Sequence, residues 1–158
     1  MQTKYKDFLL EVLPTKLKTL PAKQAPNFGI MTAHHTAEHL IFVTKSIMKK
    51  NGTPEAELSK SQLFFRKFIE AGCPFEYKPK EGATLNELRT ESLEAAVKIL
   101  ETATEKFYNL FTADPGYKSY NAMMGEFNLE ELELFNYQHG RWHLHQFGLI
   151  EKFEPLQA

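Results

Sequence analysis

Apolar side chains recur every three or four residues along most of this chain, and this spacing restricts the fold to helices packed against one another. Residues at these intervals share one face of an α-helix, and that face is stable only when a neighbour covers it. Patterns that alternate in twos, as strands require, are nearly absent. The clearest apolar stripe comprises Leu93, Ala96, Val97, Leu100, Ala103, Phe107 and Leu110. We therefore predict an all-α fold.

Start and stop signals divide the chain into four long helices and one short helix. Thr32 is a suitable N-cap, residues 84–87 have the Thr-x-x-Glu spacing of a capping box, and Asn128 begins a second cap-like start. The predicted helices cover approximately residues 5–20, 32–50, 61–71, 84–113 and 128–147. Four long helices indicate a four-helix bundle, with a short extra helix in the loop between the second and third long helices. Two connections are long, so the topology of the bundle stays open.

The second predicted helix has one face that we expect to point into the bundle. That face comprises His35, His39, Phe42, Val43 and Ile47. His34 points elsewhere on the helix and is expected at the surface. In the first helix, Pro14 predicts either a kink or the start of a new helix.

Length and charge limit the classes of partner. A chain of 158 residues suits one domain, which we place at residues 1–150, with a loosely packed or disordered tail at residues 151–158. The formal net charge is −1, and acidic and basic residues are interspersed. The chain therefore lacks the basic patch typical of proteins that bind nucleic acid or an anionic membrane. We predict neither partner, and a small-molecule substrate instead.

Cysteine usage and the N-terminal residues bear on the compartment. Cys73 is the only cysteine, which excludes an intrachain disulfide and fits a reducing compartment. It lies in a loop-like segment, and we interpret it as an ordinary thiol. Charges occur throughout the first 20 residues, unlike a signal peptide, and no stretch approaches the ~20 apolar residues that span a bilayer. We expect a cytoplasmic protein.

Two pairs of histidines at i, i+4 spacing are the strongest functional signal. His139 and His143 continue the apolar face of the last predicted helix, and His35 and His39 have the same spacing in the second. Side chains four residues apart lie on one side of a helix and can reach one ion. Buried imidazoles otherwise need hydrogen-bond partners, so a hydrogen-bonded pair of core histidines stays the alternative.

A site built from both helices would be an open one. His39, His139 and His143 would supply three ligands and leave positions for water or substrate, which is the pattern of catalytic zinc. Imidazole also suits nickel, copper and iron, so the ligand type does not identify the metal. His35 could be a fourth ligand, a hydrogen-bond partner of a ligand, or a base. It could equally be a half-exposed residue near the helix start.

Other side chains are candidates for the pocket around this site. A metal-bound water could act as a nucleophile near neutral pH and would need a general base, for which His35, Glu38 and Glu126 are the candidates. His145 is expected at the rim of the site, and Trp142 in core or interface packing. Neither histidine pair forms the HExxH motif of zinc proteases.

Two segments of the chain resemble the DinB/YfiT-like superfamily of metalloenzymes, and most closely a branch of small bacterial DinB-like proteins. The first consists of Phe28-Gly29-Ile30-Met31-Thr32 followed by Glu38-His39-Leu40. The second consists of Gly125-Glu126-Phe127, Tyr137-Gln138-His139 and His143-Leu144-His145-Gln146-Phe147-Gly148.

The resemblance implies a four-helix bundle with a three-histidine site for a divalent metal, usually nickel or zinc. By position, the ligands would be His39, His139 and His143, so the resemblance favours His39 over His35. It also implies a possible homodimer and either thiol S-transferase or hydrolase activity. Close relatives often have a second histidine where this chain has Trp142, so the wall of the pocket differs while the three ligands remain.

Three functions follow from the sequence. The first is a metal-dependent hydrolase or thiol S-transferase that acts on a small molecule at the three-histidine site. Gln146 is a candidate to line the pocket or to hydrogen-bond a ligand of this site. The second is a non-enzymatic bundle that binds a small molecule or a partner, with its histidines in a hydrogen-bond network. The third is a dimer stabilised by a closed metal site.

Overall fold

The computed structural model describes residues 3–150 and residue 153, and this part of the chain is mostly helical. The predicted helical class is therefore confirmed, although one hairpin of strands departs from an all-α fold. The elements in chain order are α1 (Thr3–Asp7), a π-helical turn (Phe8–Val12), α2 (Leu13–Lys18), α3 (Ala33–Ile47), α4 (Lys60–Glu70), α5 (Leu93–Ala113), β1 (Lys118–Asn121), β2 (Gly125–Asn128) and α6 (Leu129–Gln146). Of the predicted tail, all residues except Phe153 lie outside the described residues.

Pro14 lies in the first turn of α2, and the helical turn before it is widened. Proline has no N–H for the carbonyl four residues back, and its ring would collide with that carbonyl. The chain accommodates the ring with a π-helical turn, in which the Leu13 N–H donates to the Phe8 carbonyl five residues earlier. Asp7, Val12 and Leu13 all keep right-handed helical backbone angles, so the chain stays helical through the π-helical turn into α2 and no separate helix starts at Pro14.

α3 begins where the sequence predicts and ends earlier. The Thr32 side chain accepts the backbone N–H three residues on and caps the helix. The helix ends at Ile47, not near residue 50, because the following backbone pairs with β1. The Asn51 N–H donates to the Tyr120 carbonyl at 2.8 Å, and the Tyr120 N–H donates to the Lys49 carbonyl at 3.0 Å.

The buried face of α3 is displaced by one position from the predicted face. Ala37, Leu40 and Thr44 lie at its centre and are buried. Phe42 is two residues beyond Leu40, which is a rotation of about 200° around the helix, and it is 69% exposed. Its predicted inward position is therefore wrong. His39 lies at the edge of the buried face and is half-buried.

α5 begins at Leu93, so the predicted start near residue 84 is wrong. The Ser92 side chain caps α5, and residues 84–92 pack instead against α3. Because this segment covers the start of α3, His34 is buried, and its predicted surface position is also wrong. The Nε2 atom of His34 lies 2.7 Å from Oγ1 of Thr90.

The segment between α5 and α6, predicted to be a loop, forms an antiparallel hairpin of β1 and β2 in which Lys118 pairs with Asn128. The Asn121 side chain accepts the Met123 N–H in the turn. Phe127 points into the core from β2. Each strand has only four residues, which is too short for a clear alternating pattern in the sequence.

One cluster of buried apolar side chains joins these elements. α3 packs along α5, and α2 contacts both α5 and α6. The largest fully buried side chains include Phe107, Phe127, Leu17, Leu93, Leu100, Leu129, Leu132 and Leu144. This core fixes α3 and α6, the two helices that bear the candidate ligands. Within residues 3–150, no helix is both long and apolar enough to cross a membrane.

Candidate metal centre

α6 presents His139 and His143 on a buried face, opposite the edge of α3. A capping box between Asn128 and Glu131 starts α6, with each side chain bonded to the other's backbone N–H. His139 and His143 follow more than two turns later, one turn apart, and are only 6% and 4% exposed. His39 reaches them from α3, so the cluster joins two helices that are distant in sequence.

Gly140 lets the N-terminal helical segment approach α6 beside His139. A Cβ atom at residue 140 would lie 2.9 Å from Cδ2 of Leu13 and 3.1 Å from Cε1 of Phe8. Both distances are shorter than ordinary carbon contacts, so any larger residue would force the buried side chains of Leu13 and Phe8 to shift. Close packing at Gly140 therefore helps to fix the position of the neighbouring ligand candidate.

The Nε2 atoms of the three histidines converge on one point. Nε2 of His139 lies 3.2 Å from Nε2 of His39 and 2.9 Å from Nε2 of His143. Among the described residues, these three form the one group of histidine, cysteine and acidic side chains whose ligand atoms could share an ion, all within 4.8 Å of one another. The three predicted ligands are therefore brought together by the fold.

Gln146 is bonded to the outer nitrogen of His143. Nδ1 of His143 lies 2.6 Å from Oε1 of Gln146, and Nε2 of Gln146 donates to the Phe28 carbonyl at 3.3 Å. Gln146 is buried, one helical turn beyond His143. Among the described residues, Gln146 is the one pocket candidate from the sequence with a recorded hydrogen bond to a candidate ligand.

Burial keeps all three imidazoles neutral. It lowers the pKa of His143 to about 3, with the nearby His39 acting in the same direction and the hydrogen bond to Gln146 opposing it. Burial also lowers the pKa of His139 well below its usual value, with contributions from His143 and His39, and it lowers the pKa of His39. Neutral imidazole is the form that binds a metal.

At most one hydrogen is available for the two close contacts among the three Nε2 atoms. Each neutral imidazole has one N–H, and in His143 that hydrogen is on Nδ1, facing Gln146. Nε2 of His143 is therefore an acceptor. If Nε2 of His139 has a hydrogen, that hydrogen is shared between acceptors on His143 and His39. If it has none, the lone pairs of His139 and His143 face each other at 2.9 Å. A cation between the three nitrogens would engage all of their lone pairs.

The spacing of the nitrogens also fits a common metal ion. Zinc binds imidazole nitrogen at roughly 2.1 Å, so two such ligands lie about 3.0 Å apart at a right angle and about 3.4 Å apart at a tetrahedral angle. The observed separations of 2.9 and 3.2 Å are close to this range. The donor set is all nitrogen, which suits zinc, nickel, copper or iron.

His35 and Glu38 are directed away from the cluster. Nδ1 of His35 lies 2.6 Å from Oγ1 of Thr32, and its Nε2 lies 3.0 Å from the Asn86 carbonyl. The Glu38 carboxylate accepts the backbone N–H groups of Arg89 and Thr90 and the Thr90 hydroxyl. Burial raises the pKa of Glu38, but these hydrogen bonds outweigh it and the pKa is lowered. Both side chains therefore hold the 84–92 segment on α3.

Glu126 also lies outside the cluster. It is exposed on β2, and one of its carboxylate oxygens lies 3.6 Å from Nζ of Lys118 on β1. Its backbone carbonyl accepts from Arg66 at 2.8 Å. None of the three general-base candidates from the sequence therefore belongs to the group of converging ligand atoms.

Trp142 and His145 belong to an aromatic cluster beside Gln146. The Trp142 ring lies 5.4 Å from the Phe28 ring and 5.3 Å from the Phe153 ring, and His145 contacts the same two rings. The predicted packing role of Trp142 agrees with these contacts. Phe153 shows that at least this residue of the predicted loose tail is packed.

Sequence reasoning missed Phe75, which packs directly on a ligand candidate. Its ring stacks on His139 with centroids 5.1 Å apart, and it also contacts Phe135 and Phe153. Phe75 lies between α4 and α5, outside every helical stripe, so no periodic signal pointed to it.

A cavity the size of a water molecule borders His139 on the side of the apolar core. Thr44, Thr104 and Asn136 give it polar walls, and leucines from four helical segments line the remainder. Thr44 and Asn136 are 7% and 6% exposed. A cavity with this lining can hold one hydrogen-bonded water next to a ligand candidate.

No protein-family model, curated protein or solved structure matches the chain. The resemblance to the DinB/YfiT-like superfamily therefore stays a prediction from the residues, and the candidate centre is defined by its own geometry.

Proposed function

We propose that this protein binds one divalent metal ion through Nε2 of His39, His139 and His143. The observation that supports this most strongly is the convergence of three neutral imidazole nitrogens, whose two close contacts have at most one hydrogen to share. Nickel or zinc is the ion we expect, because the DinB-like resemblance favours these two metals and both accept nitrogen ligands.

The same proposal includes a DinB-like four-helix bundle. Its four helices would be the α1–α2 segment, α3, α5 and α6, and α4 would be the short extra helix between the second and third. The packing of α3 along α5 and the contacts of α2 with α5 and α6 support this arrangement. Metal sites in such bundles are built from inward side chains of facing helices, as His39 and the α6 pair are here.

Three neutral ligands would leave the full ionic charge and open coordination positions for other groups. A divalent ion in such a site lowers the pKa of a bound water and polarises a substrate oxygen or sulfur. His39 is half-buried while His139 and His143 are buried, so an open coordination position would face solvent on the side of His39. We therefore propose metal-dependent hydrolysis or thiol transfer on a small molecule, with an anionic donor atom favoured because no acidic ligand offsets the charge.

The alternative is a metal-free binding protein, and the distances between the histidine nitrogens are compatible with it. Separations of 2.9 and 3.2 Å are also within hydrogen-bond range. A protonated imidazole could bridge the cluster, but burial lowers the pKa of each of the three rings and opposes that state. The hydrogen-bond network is therefore the less favoured function.

Cobalt titration tests the proposal and separates the alternatives. Apo-protein is titrated with Co²⁺, and the visible bands of the bound ion report the number and type of ligands; Zn²⁺ and Ni²⁺ are then measured by competition with a chelator. We expect one site per chain, abolished in His139→Ala. His145→Ala is the matched control, since His145 is on the same helix but outside the converging nitrogens. Equal losses in both variants would contradict the site.

Activity and assembly are tested on the same samples. Turnover of ester and thiol-transfer substrates by the loaded wild type but not by His139→Ala would support an enzyme. A saturated coordination sphere with no exchangeable position, together with metal-dependent dimerisation in light scattering, would instead support the structural dimer.

A further inference from the structure

The side chain of Gln146 connects a ligand candidate to a turn distant in the sequence. Its Oε1 faces Nδ1 of His143 at 2.6 Å, and its Nε2 faces the Phe28 carbonyl at 3.3 Å. The backbone joins the same two regions, because the Asn27 N–H donates to the Gln146 carbonyl at 2.8 Å. The turn at residues 27–29 therefore contacts both the side chain and the main chain of Gln146.

These contacts determine which way the Gln146 amide is oriented. The Phe28 carbonyl is only an acceptor, so it must face the NH₂ end of the amide. The oxygen end is then directed at His143 and requires a hydrogen on Nδ1. That tautomer leaves the lone pair on Nε2, directed at the other two histidines. The Phe28 carbonyl thus determines, through one amide, the state of His143 that can bind an ion.

Gly29 provides the space for this amide. A Cβ atom at residue 29 would lie only 2.9 Å from Nε2 of Gln146. The backbone of Gly29 also has a φ of +93°, a conformation that residues with a side chain rarely adopt. The turn can therefore approach Gln146 only because residue 29 has no side chain.

We propose that Gln146 is a positioning residue that selects the metal-binding tautomer of His143, and that the 27–29 turn holds the Gln146 amide in the required orientation. This inference rests on the proposed metal site. Outer hydrogen bonds of this type fix ring orientation and raise ligand basicity, and their loss typically weakens metal binding 10- to 100-fold.

Two substitutions of Gln146 distinguish positioning from simple packing. Gln146→Met keeps the length of the side chain but removes the acceptor for His143. Gln146→Glu keeps that acceptor, loses the N–H donor to the Phe28 carbonyl and adds a buried charge. We expect Gln146→Met to weaken Zn²⁺ binding by about 10-fold or more, and Gln146→Glu to stay within a few-fold of wild type. A packing role would give the opposite order, and that order would overturn the proposal.

A second pair of variants disturbs the amide from the turn and leaves the Gln146 side chain intact. Gly29→Ala places a methyl group against Nε2 of Gln146, while Gly82→Ala has a similar positive φ of +71° with no atom within 4 Å of the new Cβ. We expect Gly29→Ala to weaken Zn²⁺ binding and Gly82→Ala to leave it unchanged. Equal effects of the two variants would contradict the proposed coupling.

Tautomer measurement in metal-free protein separates this proposal from the metal site itself. ¹⁵N NMR shifts of His143 are expected to report a hydrogen on Nδ1 in wild type and a mixed or reversed tautomer in Gln146→Met. A wild type that has this tautomer but binds no Zn²⁺ would contradict only the proposed function. A wild type that binds Zn²⁺, with the same affinity and tautomer in Gln146→Met, would contradict only the role of Gln146.

Discussion

Acid should destabilise the metal-free protein well above the pH at which carboxylates titrate. His143 is buried and neutral in the folded chain, whereas in the unfolded chain it takes up a proton below its ordinary pKa of 6.5. The unfolded state therefore binds more protons as the pH falls, and linkage requires that folding stability falls too. The contribution of His143 is complete above pH 6.5 and is lost between pH 6.5 and about 3.

The size of this effect follows from the two pKa values. A shift from 6.5 to about 3 corresponds to roughly 5 kcal/mol over the whole range, at 1.36 kcal/mol per unit. Down to pH 5 the loss from His143 alone is about 2 kcal/mol. His139, whose pKa is lowered in the same direction by burial, adds to it. Since domains of this size are stable by about 5–15 kcal/mol, the change is large enough to measure easily.

Urea unfolding of the chelated protein at pH 7.5, 6.5, 5.5 and 5.0 measures this loss. Glu38 does not interfere in that window, because its pKa is lowered from 4.5 and its contribution is lost only at lower pH. His143→Gln is the control: we expect its unfolding free energy to depend less steeply on pH than that of the wild type. If the unfolding free energy of the wild type stays constant or rises from pH 7.5 to 5.0, His143 is not buried in the neutral form.

Three further predictions test the packing around the site. Gly140→Ala should destabilise by about 1–3 kcal/mol in urea unfolding, because the methyl group collides with Leu13, although alanine normally favours a helix; a stabilised variant would contradict this. Cys73 is fully buried and burial raises its pKa to about 12, so the thiol should react with a disulfide reagent only on unfolding; rapid labelling of folded protein would refute its burial. Glu38→Gln should speed hydrogen exchange of the Thr90 amide and cost about 1–3 kcal/mol in stability, whereas unchanged exchange would exclude Glu38 as an anchor.

The sequence predicted the parts of the fold that depend on local rules. Thr32 and Asn128 cap α3 and α6 as expected, because an N-cap requires only a suitable side chain next to the first turn. The stripe of α5 is buried as its spacing implied, from Leu93 to Phe107. These features need no knowledge of what lies opposite each helix.

The errors occurred where a distant segment determines the result. Residues 84–87 fit a capping box, but contacts with Glu38 and His34 hold the 84–92 segment in an extended path over α3. Periodicity places apolar Phe42 on the predicted inner face of α3, but Phe42 lies opposite the buried Leu40 and is exposed. Neither outcome can be deduced from periodicity alone.

In the candidate site, too, the features that follow from local spacing are predicted and those that depend on distant segments are not. Spacing and helix faces indicate His39, His139 and His143, and the family resemblance favours His39 over His35; these are the three side chains that converge. Gln146 was among the pocket candidates, but its link to Phe28 depends on a turn packed against the end of α6. The stacking of Phe75 on His139 comes from a loop and had no sequence signal.

Elemental analysis of purified protein without a histidine tag, beside His139→Ala, tests the central claim most directly. We predict about one nickel or zinc per chain in the wild type and none in the variant, because His139 lies between the other two nitrogens. Absence of metal from both proteins, even after they are reloaded with divalent ions, would contradict the metal site and favour a metal-free binding protein.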